Sequence, residues 1–572
     1  MKSFNELKKN LKKDNSKYNK VRIAILGDFS TQLLGQALKA YGHEIRLNFN
    51  IFEPDYDQID LQINDPSSEL FKFSPDFVVI FPTTKKLLSK YRKLHLNMRE
   101  KFSTTYLDYI KTLLQTLMLR YTGKIIFSNF FEIDDGVFGN YSNKLEYSFL
   151  FQLRKINYEL MLLSRNNASL YINDVLLQFT KSNRIKLLPE KLNVNSSLVF
   201  DIDSFPVLAK NITDIVCSIL GKINKCIIFD LDNTLWGGVI GDDGIENIQI
   251  GDLGIGKSYS ELQMWAKSLS ERGIVLAVCS KNDEVVAKSV FEEHPEMVLR
   301  LEDIAVFVAN WQNKVDNLCY IQKVLNIGFD SMVFIDDNPF EREMVRSSIP
   351  DITVPELPED PTEYHSYLVS LNLFETASIS SEDKERTVLY QQEAKRVEVQ
   401  NQYIDELKFL SSLDMRAEVL PVAPYLFPRI AQLTQRSNQF NLRTIRYNES
   451  DIESMANNPN FKILALNLRD QFGEYGLISV IILEKQDSKY FIDTWIMSCR
   501  VLKRGVEEFM MNKMIEVSKS LNIGTICGEY IQTMKNALVK DLLPKFGFIE
   551  ECGYWKMEVG AYQPLLTSIN KV

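Results

Sequence analysis

The segment Lys225–Gly251, KCIIFDLDNTLWGGVIGDDGIENIQIG, decides how this chain is read. It opens on a short apolar run, Cys226 to Phe229, bounded by polar residues, which is the pattern of a buried strand in a parallel sheet. Asp230 and Asp232 follow at once, then Asn233 and Thr234. A parallel sheet gathers the C-terminal ends of its strands around the crevice where ligands bind. Side chains alternate along a strand, so the two acids point roughly the same way. Two acids at one strand end repel unless a cation joins them, and hard carboxylate oxygens suit Mg2+. An aspartate so placed is also a competent nucleophile towards a phosphoryl group.

Three more polar clusters follow, two of them at strand ends. Ile274 to Val278 reads as a strand and delivers Cys279-Ser280-Lys281-Asn282. Before it, Tyr259 to Arg272 reads as a helix that Gly273 ends. Trp311-Gln312-Asn313-Lys314 leads into a helix, and the strand Ser331 to Ile335 ends in Asp336-Asp337-Asn338-Pro339. An apolar run followed by DxDxT resembles the haloacid dehalogenase (HAD) phosphatases, and these clusters match their four motifs in order across residues 222–375. The longer string DLDNTLWGGVIGDDG resembles one branch, the FkbH-like proteins.

That resemblance implies a HAD-like Rossmannoid domain with residues in stated roles. Asp230 is the expected nucleophile and Asp232 the expected general acid and base. Ser280 and Lys314 are expected to hold the phosphoryl oxygens. Mg2+ is expected on Asp230, the carbonyl of Asp232, and Asp336 with Asp337; which acid of that pair touches the metal stays open. About fifty residues separate Asp230 from Ser280, and a similar number separate Ser280 from Asp336. Neither gap holds a large cap, so the site is expected to admit a large or carrier-bound substrate, or to use a neighbouring domain as its lid. Two stretches inside this unit imitate other motifs. GDLGIGKS, Gly251 to Ser258, fits a P-loop string but follows the short, polar-interrupted IENIQI. GFDSM, Gly328 to Met332, imitates a carrier's phosphopantetheine site, but its Ser331 begins a strand rather than a helix.

Residues 1–20 form a basic arm with no apolar core, so a secretory signal is not expected. Residues 21–205 read as a doubly wound α/β unit, with strands Val21 to Leu26, Phe77 to Phe81 and Lys124 to Phe127 and a helix from Ser30 to Tyr41. Its GDFS turn resembles the GDS block of SGNH hydrolases. Phe29 stands where that family has its nucleophilic Ser, however, Ser30 is one place late, and Asp174-Val175-Leu176-Leu177 lacks the His of DxxH. A Ser without a base is not activated, so a non-catalytic SGNH-like domain is expected. Residues 376–400 read as a linker helix with Ser381 as its N-cap.

Residues 401–560 pair strands and then give a strand, turn and helix, which resembles the GNAT acyltransferases, an α+β fold. That fold cradles a CoA-type pyrophosphate on a loop of pattern [QR]xxGx[GA] at a helix start. Here Arg500, Lys503 and Gly505 take the three fixed places, and Lys503 departs from the usual Gly. The strings LTQRSNQFNLRT and YIQTMKNALVKDLLPKFGF also resemble the FkbH-like branch.

Composition bounds the partners. Net charge is −9 and pI about 5.4, which argues against general nucleic-acid binding. No apolar run approaches the ~18 residues of a membrane span. Seven cysteines lie scattered without CxxC pairs, as expected of reduced thiols in a cytoplasm. The FkbH resemblance implies an enzyme that takes phosphate from a small donor of the 1,3-bisphosphoglycerate type. It then loads the glyceryl-type acyl unit onto an acyl carrier protein through an enzyme thioester, with CoA or a carrier's phosphopantetheine arm as the cofactor. Two rivals stand beside it: a Mg2+-dependent phosphatase of a small phosphoester with a GNAT-like domain that only binds, and a non-enzymatic scaffold. Among the cysteines, Cys279 beside Ser280 and Lys281 is the expected acyl-holding thiol, its thiolate favoured by the nearby lysine, and Cys499 is the alternative.

Overall fold

A computed structural model describes residues 2–181, 185–187, 199–379, 386–400, 403, 405–437, 439–533, 535–551 and 553–571. The chain divides into two compact units, Met1–Cys217 and Ser218–Val572. The architecture is mixed α/β, with three sheets among the described residues.

The first unit holds β1 (Asn19–Gly27), β2 (Leu47–Phe52), β3 (Phe77–Phe81), β4 (Lys124–Ser128) and β5 (Leu170–Asn173) in the parallel order β2-β1-β3-β4-β5. The central strands are apolar throughout because helices cover both faces of such a sheet. On the helix Phe102–Met118, Leu107, Ile110, Leu114 and Leu117 recur at helical spacing and are buried. The first residues are not a free arm. Ser3 caps the helix Phe4–Lys8, and Phe4 and Leu7 are buried. The lysines around them lie on the polar side of a packed turn, which the charge pattern alone did not show.

The second unit begins with β6 (Cys226–Phe229), β7 (Val275–Ser280), β8 (Ile304–Ala309) and β9 (Met332–Ile335), parallel and ordered β8-β7-β6-β9. Strand periodicity sorts their side chains into two layers. Ile227, Phe229, Leu276, Val278, Val333 and Ile335 share one core. Cys226, Ile228, Val275, Ala277, Cys279, Met332 and Phe334 share the other. The helix Arg386–Gln400 lays Tyr390 and Val397 into that second core; the expected N-cap Ser381 lies outside the described residues. Of the two imitations, Gly256 opens the helix Gly256–Glu271 with no strand ahead of it, and Ser331 closes a single turn before β9.

The same unit continues into a mixed sheet of β10 (Arg416–Leu420), β11 (Phe461–Asp470), β12 (Gly473–Gln486), β13 (Lys489–Met497), β14 (Thr525–Gly528), β15 (Ile549–Glu551), β16 (Tyr554–Glu558) and β17 (Asn570–Lys571). Their order is β15-β16-β14-β13-β12-β11-β10-β17. β13 pairs along its length with β12, but with β14 only over Lys489 to Phe491. Beyond Phe491 the two parallel strands part.

A buried ion pair ties the helix Arg386–Gln400 to this sheet. The Arg396 guanidinium meets the Asp470 carboxylate through two bonds, Nε to Oδ2 at 2.8 Å and Nη2 to Oδ1 at 2.9 Å. The two side chains are 1% and 0% exposed. Removing Arg396 leaves the buried Asp470 carboxylate with only neutral donors, from Phe472, Gly473 and Tyr475, and no cation, so Arg396→Ala should cost ~3 kcal/mol of unfolding free energy. Denaturant melts of the two proteins measure this, and a loss below ~1 kcal/mol would show that the pair is not what fixes the helix.

Candidate active site

The second unit's parallel sheet ends in a ring of polar groups. Asp230 leaves β6 with its N–H donated to the carbonyl of Ile335 on β9 at 2.9 Å. Asn233 then takes a left-handed φ of 54°, which a short polar side chain tolerates. Its Oδ1 accepts the N–H of Gly238 at 3.0 Å. This turn carries Asp232, half-buried, to the same strand end.

Lys314 starts the helix Lys314–Leu325, capped by the side chain of Asn313. Its Nζ lies 2.9 Å from Asp230 Oδ2 and 2.6 Å from Asp336 Oδ2, with the lysine 3% exposed. Burial opposes the ammonium, but the two carboxylates outweigh it and hold the Lys314 pKa above the usual range. Burial, with Asp230 adding to it, pushes Asp336 up to about 7 against the pull of Lys314. Asp337 is raised by the same two causes in the same order. The Asp336 side chain also accepts the N–H of Asn338 at 2.9 Å, and the Asp337 N–H donates to Thr234 Oγ1 at 3.2 Å. Arg342, on the helix Pro339–Ser348, donates to the carbonyls of Asp336 and Asp337 at 2.8 and 2.6 Å and so pins this strand end. Nothing in the sequence marked Arg342 for that task.

Asp230, Asp336 and Asp337 each bring one oxygen within 4.8 Å of the others. Asp230 Oδ1 is buried with no hydrogen-bond partner among the described residues. One lysine does not balance three acids, and an orphaned carboxylate oxygen is costly. The set therefore fits a small hard cation. Ser280 ends β7, beside β6, and is 1% exposed. The structure thus brings Asp230, Asp232, Ser280, Lys314, Asp336 and Asp337 to one end of one sheet.

Cys279 does not join them. It is fully buried in the layer of Cys226 and Ile228, and its thiol donates to the carbonyl of Lys314 at 3.8 Å. Burial pushes the thiol pKa up, so little thiolate forms. Lys281 turns to Glu341 at 2.6 Å and does not serve the thiol. The expected acyl-holding role of Cys279 is therefore withdrawn. Cys499 is half-buried, its carbonyl taken by the side-chain amide of Asn326; Cys552 lies outside the described residues.

Two further expectations change in the C-terminal sheet. Arg500 turns inward: Nε donates to Ser498 Oγ at 3.3 Å and Nη2 to the carbonyl of Tyr475 at 3.1 Å. It is buried and does not present a guanidinium to an external phosphate. Lys503 and Gly505 both take left-handed φ values, 62° and 77°, just before the helix Val506–Ser520. The carbonyl of Gly505 accepts Thr567 Oγ1 at 3.2 Å. Where β13 and β14 part, the chain itself fills the gap. Leu442 N donates to the Trp495 carbonyl, and Met497 N to the Phe440 carbonyl, both at 3.1 Å; Ile531 N donates to the Leu442 carbonyl at 3.0 Å. Phe440, Asn441 and Leu442 are buried. Phe440 to Leu442, within SNQFNLRT, are therefore a strand-like filler of this sheet.

In the first unit, Phe29 is buried edge-on against Phe81 and Phe200. The Asp28 carboxylate accepts the N–H of Thr83 at 3.0 and 3.1 Å, and Ser30 Oγ bonds the side chain of Gln32. Asp174 accepts from Asn129 at 2.8 Å and from the N–H of Leu177 at 2.9 Å. No histidine bonds Ser30 among the described residues.

The parallel sheet, its uncapped crevice and the ordered acids around Lys314 define a HAD-like phosphatase domain. Residues 22–217 match the family described as the FkbH N-terminal domain. The chain is 47% identical to a crystallised N-terminal part of the protein BF1531 from Bacteroides fragilis, which contains a phosphatase domain complexed with Mg2+. That match covers 66% of this chain and all of that one, with a TM-score of 0.63. The chain belongs to the FkbH-like family. Weaker likenesses join it to the ribosomal-protein-S18-alanine N-acetyltransferase of Escherichia coli, 12% identical, TM-score 0.21, covering 27% of this chain and 98% of that one. The spermidine N-acetyltransferase of Vibrio cholerae, in complex with CoA and spermine, is 13% identical, TM-score 0.21, covering 26% and 98%. No curated protein matches the chain.

If the acid cluster holds a divalent cation, Mg2+ binds the native state and stabilises it. At a hundredfold excess over its Kd the gain should be ~2.7 kcal/mol. Melting with Mg2+ and with a chelator measures this, and Asp336→Asn should shrink the difference. Identical melting curves in Mg2+ and chelator would reject the cluster as a cation site.

Proposed function

We propose that the HAD-like crevice hydrolyses a phosphate ester on a small phosphorylated acyl donor, and that the acyl unit passes to the thiol of an acyl carrier protein. The observation that carries the first half is Lys314 clamped between Asp230 and Asp336, with Asp230 Oδ1 left without a partner. Asp230, Asp336, Asp337 and the carbonyl of Asp232 would hold Mg2+, which supplies charge neutralisation to the phosphoryl oxygens when bound. The chain's own groups do the rest. Lys314 and Ser280 hold the phosphoryl oxygens, and Lys314 gives a fixed positive charge in a site of low dielectric. Asp230 attacks phosphorus, the P–O bond to the substrate breaks, and Asp232 gives its proton to the leaving alkoxide. Asp232 then takes a proton from water, which attacks the aspartyl-phosphate and frees phosphate and Asp230.

Acyl loading is a different displacement. A thiolate attacks the acyl carbon, the acyl–oxygen bond breaks, and phosphate leaves with the electron pair. A donor of the 1,3-bisphosphoglycerate type carries both kinds of phosphate, one ester and one acyl. With Cys279 sealed, the attacking thiol is Cys499 or the carrier's own phosphopantetheine. The FkbH-like family membership supports this half.

A second reading has an observation of its own. The inward Arg500 and the filled edge of β13 favour a C-terminal domain that binds no CoA, beside a Mg2+-dependent phosphatase of a small phosphoester. The assembled acids disfavour a purely structural scaffold. No helix among the described residues is long and apolar enough to cross a membrane. Seven scattered cysteines without CxxC pairs suit a cytoplasmic setting.

Incubation with donor and phosphopantetheinylated carrier, read by intact mass, tests the proposal. A carrier gaining the dephosphorylated acyl unit is the expected result. Release of phosphate with an unchanged carrier would leave the second reading. Asp230→Asn should lower ester hydrolysis by at least ~10³-fold, since the nucleophile is lost. Normal turnover by that variant would reject the mechanism.

A further inference from the structure

Asp232 is held more tightly than its neighbours in the site. Its Oδ1 accepts two donors, the indole Nε1–H of Trp236 at 2.8 Å and the backbone N–H of Ile240 at 3.1 Å. Its Oδ2 accepts one, the side-chain amide of Asn282 at 2.8 Å. A carboxylate offers about four lone-pair positions, two on each oxygen. Three are taken by groups that only donate, so one position on Oδ2 remains. The rotation of the carboxylate is fixed by three donors from two segments: Trp236 and Ile240 after β6, and Asn282 after β7.

Those donors are themselves rigid. Trp236 is fully buried and packs edge-on against Phe291, ring centroids 6.1 Å apart. Asn282 is 4% exposed. Gln263, on the helix Gly256–Glu271, donates through Nε2 to the Leu235 carbonyl at 2.7 Å, one residue before Trp236. Gly237 N and the Gln249 carbonyl pair at 2.9 Å, and Gln249 N and the Gly237 carbonyl at 2.8 Å, so the loop is clasped on its far side as well.

Resting on the reading of Asp232 as general acid and base, we propose that Trp236 and Asn282 are positioning residues. They fix Asp232 so that the proton it exchanges rides on Oδ2. In a site without a large cap, this loop takes the task of aligning the acid that a closing domain would otherwise perform. The acid is then set before substrate arrives. It serves substrates whose leaving oxygen needs a proton, which are alkyl phosphate esters. Aryl phosphates with a stable phenolate leaving group need it far less.

Two variants test this. Trp236→Phe keeps the buried ring and removes the N–H; Asn282→Ala removes the other side-chain donor. Each is assayed with glycerol phosphate and with p-nitrophenyl phosphate. A displaced acid should lower kcat/KM on the alkyl ester by ~10- to 100-fold, part of the full general-acid effect, and on the aryl ester by less than about threefold. Hydrolysis of the aspartyl-phosphate also uses Asp232, so p-nitrophenol should appear in a burst near one per enzyme. A merely structural role lowers both substrates alike and gives no burst; that result, with the wild type active, would overturn the proposal and leave the phosphatase reading intact. A second readout needs no turnover. In protein labelled with 15N-tryptophan, the Trp236 indole proton should lie downfield of the other tryptophan indoles and move upfield in Asp232→Ala. An unmoved signal removes the contact and the proposal with it. A wild type inactive on both esters, with the signal shifting as expected, would keep the positioning contact and sink the phosphatase reading.

Discussion

The structure around the crevice depends on one arrangement of charge. A buried lysine, Lys314, sits between two buried carboxylates, Asp230 and Asp336, with a third acid close by. Taking these ions out of water costs several kcal/mol each, and their mutual attraction returns that only with tight geometry and satisfied lone pairs. The sheet supplies the geometry: β6 and β9 are adjacent and parallel, so their C-terminal acids are side by side. Arg342 fixes the carbonyls behind Asp336 and Asp337, and Asn313 starts the helix that aims Lys314. The lone pairs are the unfinished part. An orphan on Asp230 Oδ1 and a surplus of acid over base describe a site built to be completed by a cation and a phosphate.

Asp232 stands apart in this electrostatic scheme. It is two residues from Asp230, yet its partners are neutral donors. Burial raises its pKa against those donors, while Asp230 and Asp336 face the charged Lys314. The division follows the chain: motif acids at the strand ends carry charge, and the loop after β6 carries orientation.

Three of the four motif clusters were legible as polar groups at the end of an apolar strand and the fourth, at Lys314, as a helix start, and a parallel sheet gathers such strand ends at one edge. The thiol was misread for a reason the sequence does contain. Cys279 and Ser280 are neighbours on one strand, so they must face opposite layers. A Ser280 at the crevice therefore places Cys279 in the core. Arg500 was misread for a reason the sequence does not contain: a loop pattern fixes positions, while the direction of a long side chain depends on the carbonyl of Tyr475 across the sheet. β2, LNFNIF, escaped notice because its asparagines interrupt the apolar signal on a strand at the edge of the sheet. Trp236 and Asn282 were invisible as partners, since 46 positions of chain separate two residues that meet on one carboxylate.

The C-terminal sheet shows how a fold can persist while its usual opening is used by the chain. β13 and β14 part after Phe491, which leaves a strand edge of unpaired amides. Such an edge invites an extended ligand with amides of its own. Here Phe440 to Leu442 takes the edge, and its side chains continue the core that holds Trp495 and Met497. Asn536 secures the insertion by donating to the Asn441 carbonyl at 3.0 Å from the opposite side. A buried, doubly bonded segment does not exchange readily for a ligand, because its removal would open a cavity among large side chains. The acid cluster at the end of β6 and β9 is electrostatically incomplete, whereas the parted edge of β13 is already occupied by the chain. The ends of β6, β7 and β9 therefore offer an unfilled cluster of acids, and the edge of β13 offers no free strand for a ligand to pair with.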